Sequence, residues 1–413
     1  MGRRSLRWLA AVVLAALSIT STSLGQKQPP QAAHQVAHTD LLNLDPQVRR
    51  GFDRFYDLDY DGALKIWNTV AQAHGNEPMV WNYILVGTIF RELYRQDLLD
   101  TTYYAHDNFL TNKREVSITP GVRAEIESLT DRVIGMCDAE LKSNPGDKNA
   151  LFARGYAKGM HAAFIVLVDH SFFAGARQGY SSRNDSEAAL KIDSQYADAN
   201  MAVGIQQFAV ASLPRFVRIM VGIAGVGGNK EHGLQLLREA AAHGVVTSVE
   251  SRTVLSLFLR HDARYLEALQ MERGLAAQYP HNFLFRLEVA NILKDAGQGY
   301  NAMGEYTAVL ADAAKPGYFI EARLQLAYFG LADTQRGYNN IKDAVKNYVL
   351  AAEQPNCSDW LRKRAQLNAG EMYDLLHDRA QAVQMYKLAA NGGGDQSQAE
   401  AARKYLGTPF QGK

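Results

Sequence analysis

Gly370-Glu-Met-Tyr373-Asp-Leu-Leu-His-Asp-Arg-Ala-Gln-Ala382-Val-Gln-Met-Tyr386-Lys-Leu-Ala389 is the stretch that decides how this chain folds. Counted from Gly370, small and aromatic residues return at offsets of three, twelve, sixteen and nineteen. Such spacing sets Gly370 and Tyr373 on one helix and Ala382, Tyr386 and Ala389 on the facing stripe of the next. The small residues let the two helices of a hairpin approach closely. The rings fill the space toward neighbouring units. The pattern predicts a helix–turn–helix unit of about 34 residues, stacked on others of its kind.

The same pattern recurs upstream. The unit from Val249 to Asn282 carries Leu255, Ser256 and Leu259 on its first helix, then Ala268 and Leu275, and closes at Tyr279-Pro280. The next offers Val289, Ala290 and Leu293, then Ala302, Tyr306 and Val309. A third has Leu326 and Ala327, then Ala344, Tyr348 and Ala351, which requires a connection several residues longer than the standard one. Farther upstream the match loosens. Ala63 and Trp67 fit a second helix, Gly155 and Gly204 each fit a first, and Gly233, Leu237 and Ala240 fit another second. Longer insertions, Tyr94–Thr119 and His161–Ser182, lie between them. About eight hairpins result. No alternating strand pattern of useful length appears.

These positions resemble the tetratricopeptide repeat (TPR) superfamily over roughly Asp45 to Leu406. The middle block is similar to a narrower set of exported bacterial TPR proteins: Asp198-Ala-Asn-Met-Ala-Val-Gly204, Gly228-Asn-Lys-Glu-His-Gly-Leu-Gln-Leu-Leu-Arg-Glu-Ala240 and Tyr265-Leu-Glu-Ala268. The resemblance implies an all-α, right-handed α-solenoid of TPR-like helical hairpins. Its divergent repeats would span residues 45–248 and its regular ones 249–390. After Gly392-Gly393-Gly394, residues 391–413 would form a polar capping helix and tail, since a solenoid end must cover its last apolar face. Relatives of this kind imply scaffolding roles and supply no activity.

The N-terminus reads as a processing signal. Arg3, Arg4 and Arg7 precede the apolar run Trp8 to Leu17, and Ser23-Leu24-Gly25 suits cleavage before Gln26. Residues 1–25 are thus a signal peptide that places the protein in the periplasm or outside the cell, and residues 26–44 a flexible linker. Removing three arginines from 44 basic residues leaves 41 against 43 acidic. A near-neutral mature chain argues against nucleic acid as a partner. Phe208–Val226 is the most apolar later segment, but Pro214, Arg215 and Arg218 interrupt it, so no obligatory membrane span is expected. Cys137 and Cys357 lie far apart and are expected to be free thiols.

Candidate chemistry fails residue by residue. Asp57-Leu-Asp-Tyr-Asp-Gly62 opens like a calcium loop, yet Asn68 stands where a bidentate glutamate belongs, and the run equally suits an inter-helix turn. Gly222-Ile-Ala-Gly-Val-Gly-Gly-Asn-Lys230 lacks the Gly-Lys-Ser/Thr of a phosphate loop. His161 and His170 lie nine apart, with no metal-ligand spacing around them. Tyr94, Tyr103, Tyr104, His106 and Asp107 cluster in an insertion and could line a pocket. No catalytic, cofactor or metal site is expected.

The expected site is the concave groove, lined by the first helix of each unit. Repeat counting places Arg260, Asn291 and Lys294 on it, with Glu371 and Asp374 farther along. The resulting expectation is a non-enzymatic adaptor of the bacterial cell envelope that binds a protein or peptide in that groove. The alternative is a small-molecule or polymer-binding protein, hydrolytic or not, with a pocket in the N-terminal half formed by the two insertions.

Overall fold

Helix follows helix along the described chain. The computed structural model describes residues 37–105, 115–212, 227–392 and 394–412, and no strand forms among them. A short 3-10 turn, Leu41–Leu44, leads into α1 (Pro46–Tyr56) and α2 (Tyr60–His74). α3 (Pro78–Arg95) and α4 (Pro120–Ser143) flank a long connection, and α5 (Lys148–Asp169) runs into α6 (Phe172–Ile192). Next come α7 (Asn200–Ser212) and α8 (Lys230–His243), then α9 (Ser248–His261) and α10 (Tyr265–Gln278). α11 (Phe283–Asp295) pairs with α12 (Gly299–Ala313), α13 (Leu324–Gly337) with α14 (Ile341–Glu353), and α15 (Asp359–Leu375) with α16 (Arg379–Ala390). α17 (Gln396–Gly407) closes the series. Each helix packs on the one before it and the one after. The chain is an α-solenoid of helical hairpins.

Local chemistry fixes where the helices start. Pro46, Pro78 and Pro120 open α1, α3 and α4, where the missing N–H costs nothing. Side chains of Asp45, Asp59, Asp147, Asn229, Asn282, Asp378 and Asp395 accept hydrogen bonds from first-turn amides. Asp198 does this from a distance. Its Oδ1 accepts the N–H groups of Val245, Val246 and Thr247 at 2.8, 3.0 and 2.9 Å, fixing the start of α9.

One turn design repeats where helices end. Between α1 and α2, α9 and α10, α11 and α12, α13 and α14, and α15 and α16, three residues make the connection. The middle one has positive φ: Leu58, Ala263, Gly297, Asn339 and His377. The N–H after it bonds back five residues, as in Asp59 N to Arg54 O at 2.9 Å and Arg264 N to Leu259 O at 2.8 Å. This closure satisfies the carbonyls orphaned at a helix end. α3 ends the same way, with Asp97 at φ 57° and Leu98 N bonded to Leu93 O. There, however, no second helix follows at once.

The close-packing positions follow the sequence pattern. A Cβ at Gly370 would sit 2.5 Å from the Tyr386 ring, and one at Gly204 2.9 Å from the Gly233 carbonyl oxygen, so neither site admits a side chain without movement. Trp67, Tyr306, Tyr348 and Tyr386 are fully buried. Burying a large apolar side chain contributes roughly 1.5–3 kcal/mol. The tyrosine hydroxyls donate to the first helix of their own unit: Tyr306 to Asn291 at 2.6 Å, Tyr348 to Asp333 at 2.7 Å and Tyr386 to Asp374 at 2.8 Å. At the C-terminal end Tyr405 of α17 packs its ring 5.6 Å from that of Tyr386, and Arg379 donates to the Tyr405 and Leu406 carbonyls.

Three expectations change. The third regular unit has no lengthened turn: Tyr338–Asn340 joins α13 to α14 as briefly as Ala296–Gln298 joins α11 to α12. Its close-packing residue is Ala332, fully buried beside Asp333, rather than Ala327. The additional residues lie before α13, in Ala314–Arg323, where they reach another part of the chain. Residues 37–44, read as the end of a flexible linker, are docked: Lys148 Nζ donates to Ala37 O at 2.8 Å, and Tyr83 donates to buried Asn43 at 2.6 Å. Their polar composition concealed those bonds. Finally, His161–Ser182 only lengthens α5 and α6. Residues 1–36, 106–114 and 213–226, and with them the signal peptide, His106, Asp107 and most of Phe208–Val226, lie outside the described residues.

Candidate functional site

The connection after α3 leaves the repeat pattern and packs on residues of the C-terminal units. At Asp97 the carboxylate accepts from Arg323 Nε and Gln325 Nε2, both at 2.8 Å, and from the Ser358 amide at 2.9 Å. Arg323 also donates to Arg95 O at 2.8 Å, and the Trp360 indole to Gln96 O at 3.0 Å. Leu98 is fully buried. Farther along, Asn291 donates to Asp100 at 3.1 Å, and Arg260 donates to the hydroxyls of Thr101 at 3.0 Å and Thr102 at 3.3 Å. The Tyr103 ring meets Trp360 edge to face at 4.6 Å. Residues 96–103 therefore form a strap gripped at almost every residue by α9, α11, α15 and the segment before α13.

Behind the strap lies a cavity of about 150 Å³. Its walls are mostly apolar, with the rings of Phe55, Tyr60, Phe90 and Phe285 beside Val249 and Leu287. Leu99, Asp100 and Thr101 of the strap close one side. Carboxyl groups of Glu250, Glu272 and Glu288 also line it. Glu288 is matched: it accepts from Arg260 at 2.8 Å, from Asn291 at 3.1 Å and from Thr101. Glu250 accepts from the Tyr56 hydroxyl at 2.8 Å through one oxygen, while its other oxygen has no partner. Glu272 is 1% exposed and neither of its oxygens has a hydrogen-bond partner. Burial pushes its carboxyl well above the usual carboxylate range, and the nearby Glu288 charge adds to the rise. Burial likewise raises Glu250 to about 7.

The expected groove residues fall into three settings. Arg260 and Asn291, 1% and 2% exposed, come together on the strap, and Arg260 also pairs with Asp295 at 2.7 Å. Lys294 stays half-buried, 3.9 Å from Asp333. Glu371 pairs with Arg336 at 3.0 Å, and Asp374 accepts from Arg379, Tyr386 and the Phe410 amide. The chain's own strap thus engages Arg260 and Asn291, and its C-terminal tail engages Asp374, whereas Lys294 and Glu371 face Asp333 and Arg336.

Other sequence candidates resolve structurally. Asp57-Leu58-Asp59 is an inter-helix turn: Asp59 caps α2, and Asp61 pairs with Arg91 at 3.0 Å. Asn229 caps α8, and the rest of the glycine-rich run before Gly227 lies outside the described residues. His161 faces Glu127 at 3.1 Å. Among the described residues no group of three His, Cys, Asp or Glu is placed to hold a metal ion. Cys137 and Cys357 are free and buried, their thiols pushed up to about 12 by burial. No helix of the described residues is long and apolar enough to cross a membrane.

Sequence reasoning missed Asp97, Asp100, Arg323, Gln325, Trp360 and the cavity acids. One signal for Glu272 was present. It follows Ala268 by four residues, as Trp67 follows Ala63, Tyr306 follows Ala302, Tyr348 follows Ala344 and Tyr386 follows Ala382. A carboxylate stands where these four units place a ring, and where the unit of α8 places Leu237.

Paired helices packed in sequence order, with small residues and rings at fixed spacing, define an α-solenoid of TPR-like hairpins. No protein-family model and no curated protein sequence matches the chain. Among solved structures it is similar to yeast Tom70, at 11% identity over 89% of this chain and 95% of that one, with a TM-score of 0.42. It is also similar to a monomeric mutant of IFIT1 with Gppp-AAAA, at 10% identity over 90% and 84%, with a TM-score of 0.44. Likenesses this distant do not bear on what the chain binds.

Proposed function

We propose that the protein is a non-enzymatic scaffold that holds protein partners by its concave face, exported to the bacterial cell envelope and residing in the periplasm or outside the cell once residues 1–25 are removed. The observation that carries this reading is the strap. The surface already holds one turn-rich segment of the chain, through Arg323 on a carboxylate, Arg260 on two hydroxyls, amide side chains and an aromatic contact, the kinds of group by which such surfaces hold peptides. A partner would meet the part left half-buried, around Lys294, Asp333 and Arg336. Native capture from the envelope should recover one specific protein, and Lys294→Glu should weaken that recovery without loss of helicity. Repeated capture with no partner would overturn the scaffold reading. Fractionation with N-terminal sequencing tests the export reading, which expects a mature chain starting at Gln26.

A second reading, a protein that holds a small molecule, is favoured by one observation: the cavity behind the strap with unmatched carboxyls in an apolar wall. Retention of an organic molecule by the natively purified chain is its test.

A further inference from the structure

In four units a large aromatic residue, Trp67, Tyr306, Tyr348 or Tyr386, fills one second-helix position; the unit of α8 has Leu237 there, and the unit of α9 and α10 has Glu272. The exchange removes a ring and leaves volume. It also places there a carboxyl that the Ser256 hydroxyl approaches but that accepts no well-formed hydrogen bond from the protein. An unpartnered buried carboxyl costs several kcal/mol relative to a ring that packs. A chain that needed only stability would have kept the ring.

The surroundings narrow what could answer this carboxyl. Arg260 is spent on Glu288, Asp295 and the strap threonines. The Arg252 guanidinium eases the charge on Glu272 from a separate cavity, beside Arg49 and Tyr279, and gives it no hydrogen bond. No cationic side chain lines the Glu272 cavity, whereas Glu250 offers it a second unmatched oxygen. An anion is therefore excluded by charge, and a hydrated metal ion by the apolar walls. The rings of Phe55, Tyr60 and Phe285 can pack against an apolar body and attract a cation through their faces. A volume of about 150 Å³ suits one ring or a short alkyl chain and leaves no room for a peptide backbone.

We propose that this cavity binds a small organic amine, its apolar body held among the rings and its ammonium group on Glu272, with Glu250 as the second acceptor. This rests on the small-molecule reading and names the ligand class. The amine supplies the charge-assisted hydrogen bonds that the fold withholds.

The test titrates the full mature chain with benzylamine, benzyl alcohol and benzoate at pH 8, read by calorimetry. Benzylamine is expected to bind at least about tenfold more tightly than benzyl alcohol, a difference of about 1.4 kcal/mol, and benzoate to give no heat. Glu272→Gln should remove that advantage while sparing benzyl alcohol. Glu272→Tyr, which introduces the ring found in four other units, should abolish both and raise the melting temperature; if it misfolds, the near-isosteric Gln variant decides. Equal binding of the amine and the alcohol, unchanged in Glu272→Gln, would overturn the amine assignment and leave the small-molecule reading standing. Absence of heat from all three compounds would overturn both.

Discussion

Asp97, in the strap, and Glu272, in the cavity behind it, are equally buried acids, and they are treated in opposite ways. Both oxygens of Asp97 are matched, by a guanidinium, an amide side chain and a backbone amide. Neither oxygen of Glu272 is. A carboxylate that is fully matched inside a protein locks geometry, because removing either partner strands the other. A carboxyl that is left bare destabilises the empty fold and is stabilised only by something that arrives. The difference separates a permanent joint from a receptive one.

Breaking the joint should give the largest effect. Asp97→Ala leaves buried Arg323 with only the half-exposed Glu321 at 3.7 Å and strands Gln325 and the Ser358 amide; it should cost about 3–5 kcal/mol, read as a lowered denaturant midpoint. A loss below 1 kcal/mol would mean that the strap is not gripped as described. Next comes a yardstick from a regular unit. Gly370→Ala drives a methyl group against the Tyr386 ring and should cost about 1–3 kcal/mol by the same measurement.

The receptive side is sharpened by pH. Glu250 sits at about 7 in the fold against an ordinary value of 4.5, so between these the folded state holds a proton that the unfolded state has released. Stability must then fall as pH rises through that window, and it is fully present only below about 4.5. Glu250→Gln should therefore be more stable than the parent at pH 8 by an amount on the order of 1–3 kcal/mol, with the gain vanishing near pH 4.5. A gain that is constant across this range would show that the carboxyl is not the titrating group. The smallest effect concerns the shared turn. Ala263→Gly relieves a left-handed alanine at φ 57° and should stabilise by about 0.5–1 kcal/mol, whereas a loss would argue that the Ala263 methyl group packs.

The hairpins were legible because close approach forces residue size at fixed intervals, and Gly370, Tyr386, Ala302 and Tyr306 obey that rule. Register failed at Ala327 because several small residues run through α13, and only the three-residue turn at Tyr338–Asn340 shows that Ala332 is the one against the second helix. The strap was not legible. Asp97, Asp100 and Thr101 read as an ordinary polar insertion, since their partners lie between about 160 and 260 residues downstream and no local period links them. Repeat counting expects Arg260 and Asn291 to face an open groove, whereas both lie against the strap, because facing solvent or another segment depends on chain far away in sequence. Glu272 could have been read as a ring missing from its place, a signal that a list of matches passes over.

Most repeat arrays can fray from an end, because every unit answers only to its neighbours. Here Ser358 and Trp360, near the far end, hold residues that emerge early in synthesis. Trimming the final helices should therefore loosen the third helix as well, and the array should melt in one step, with the first-made part of the chain waiting for the last before it is secure.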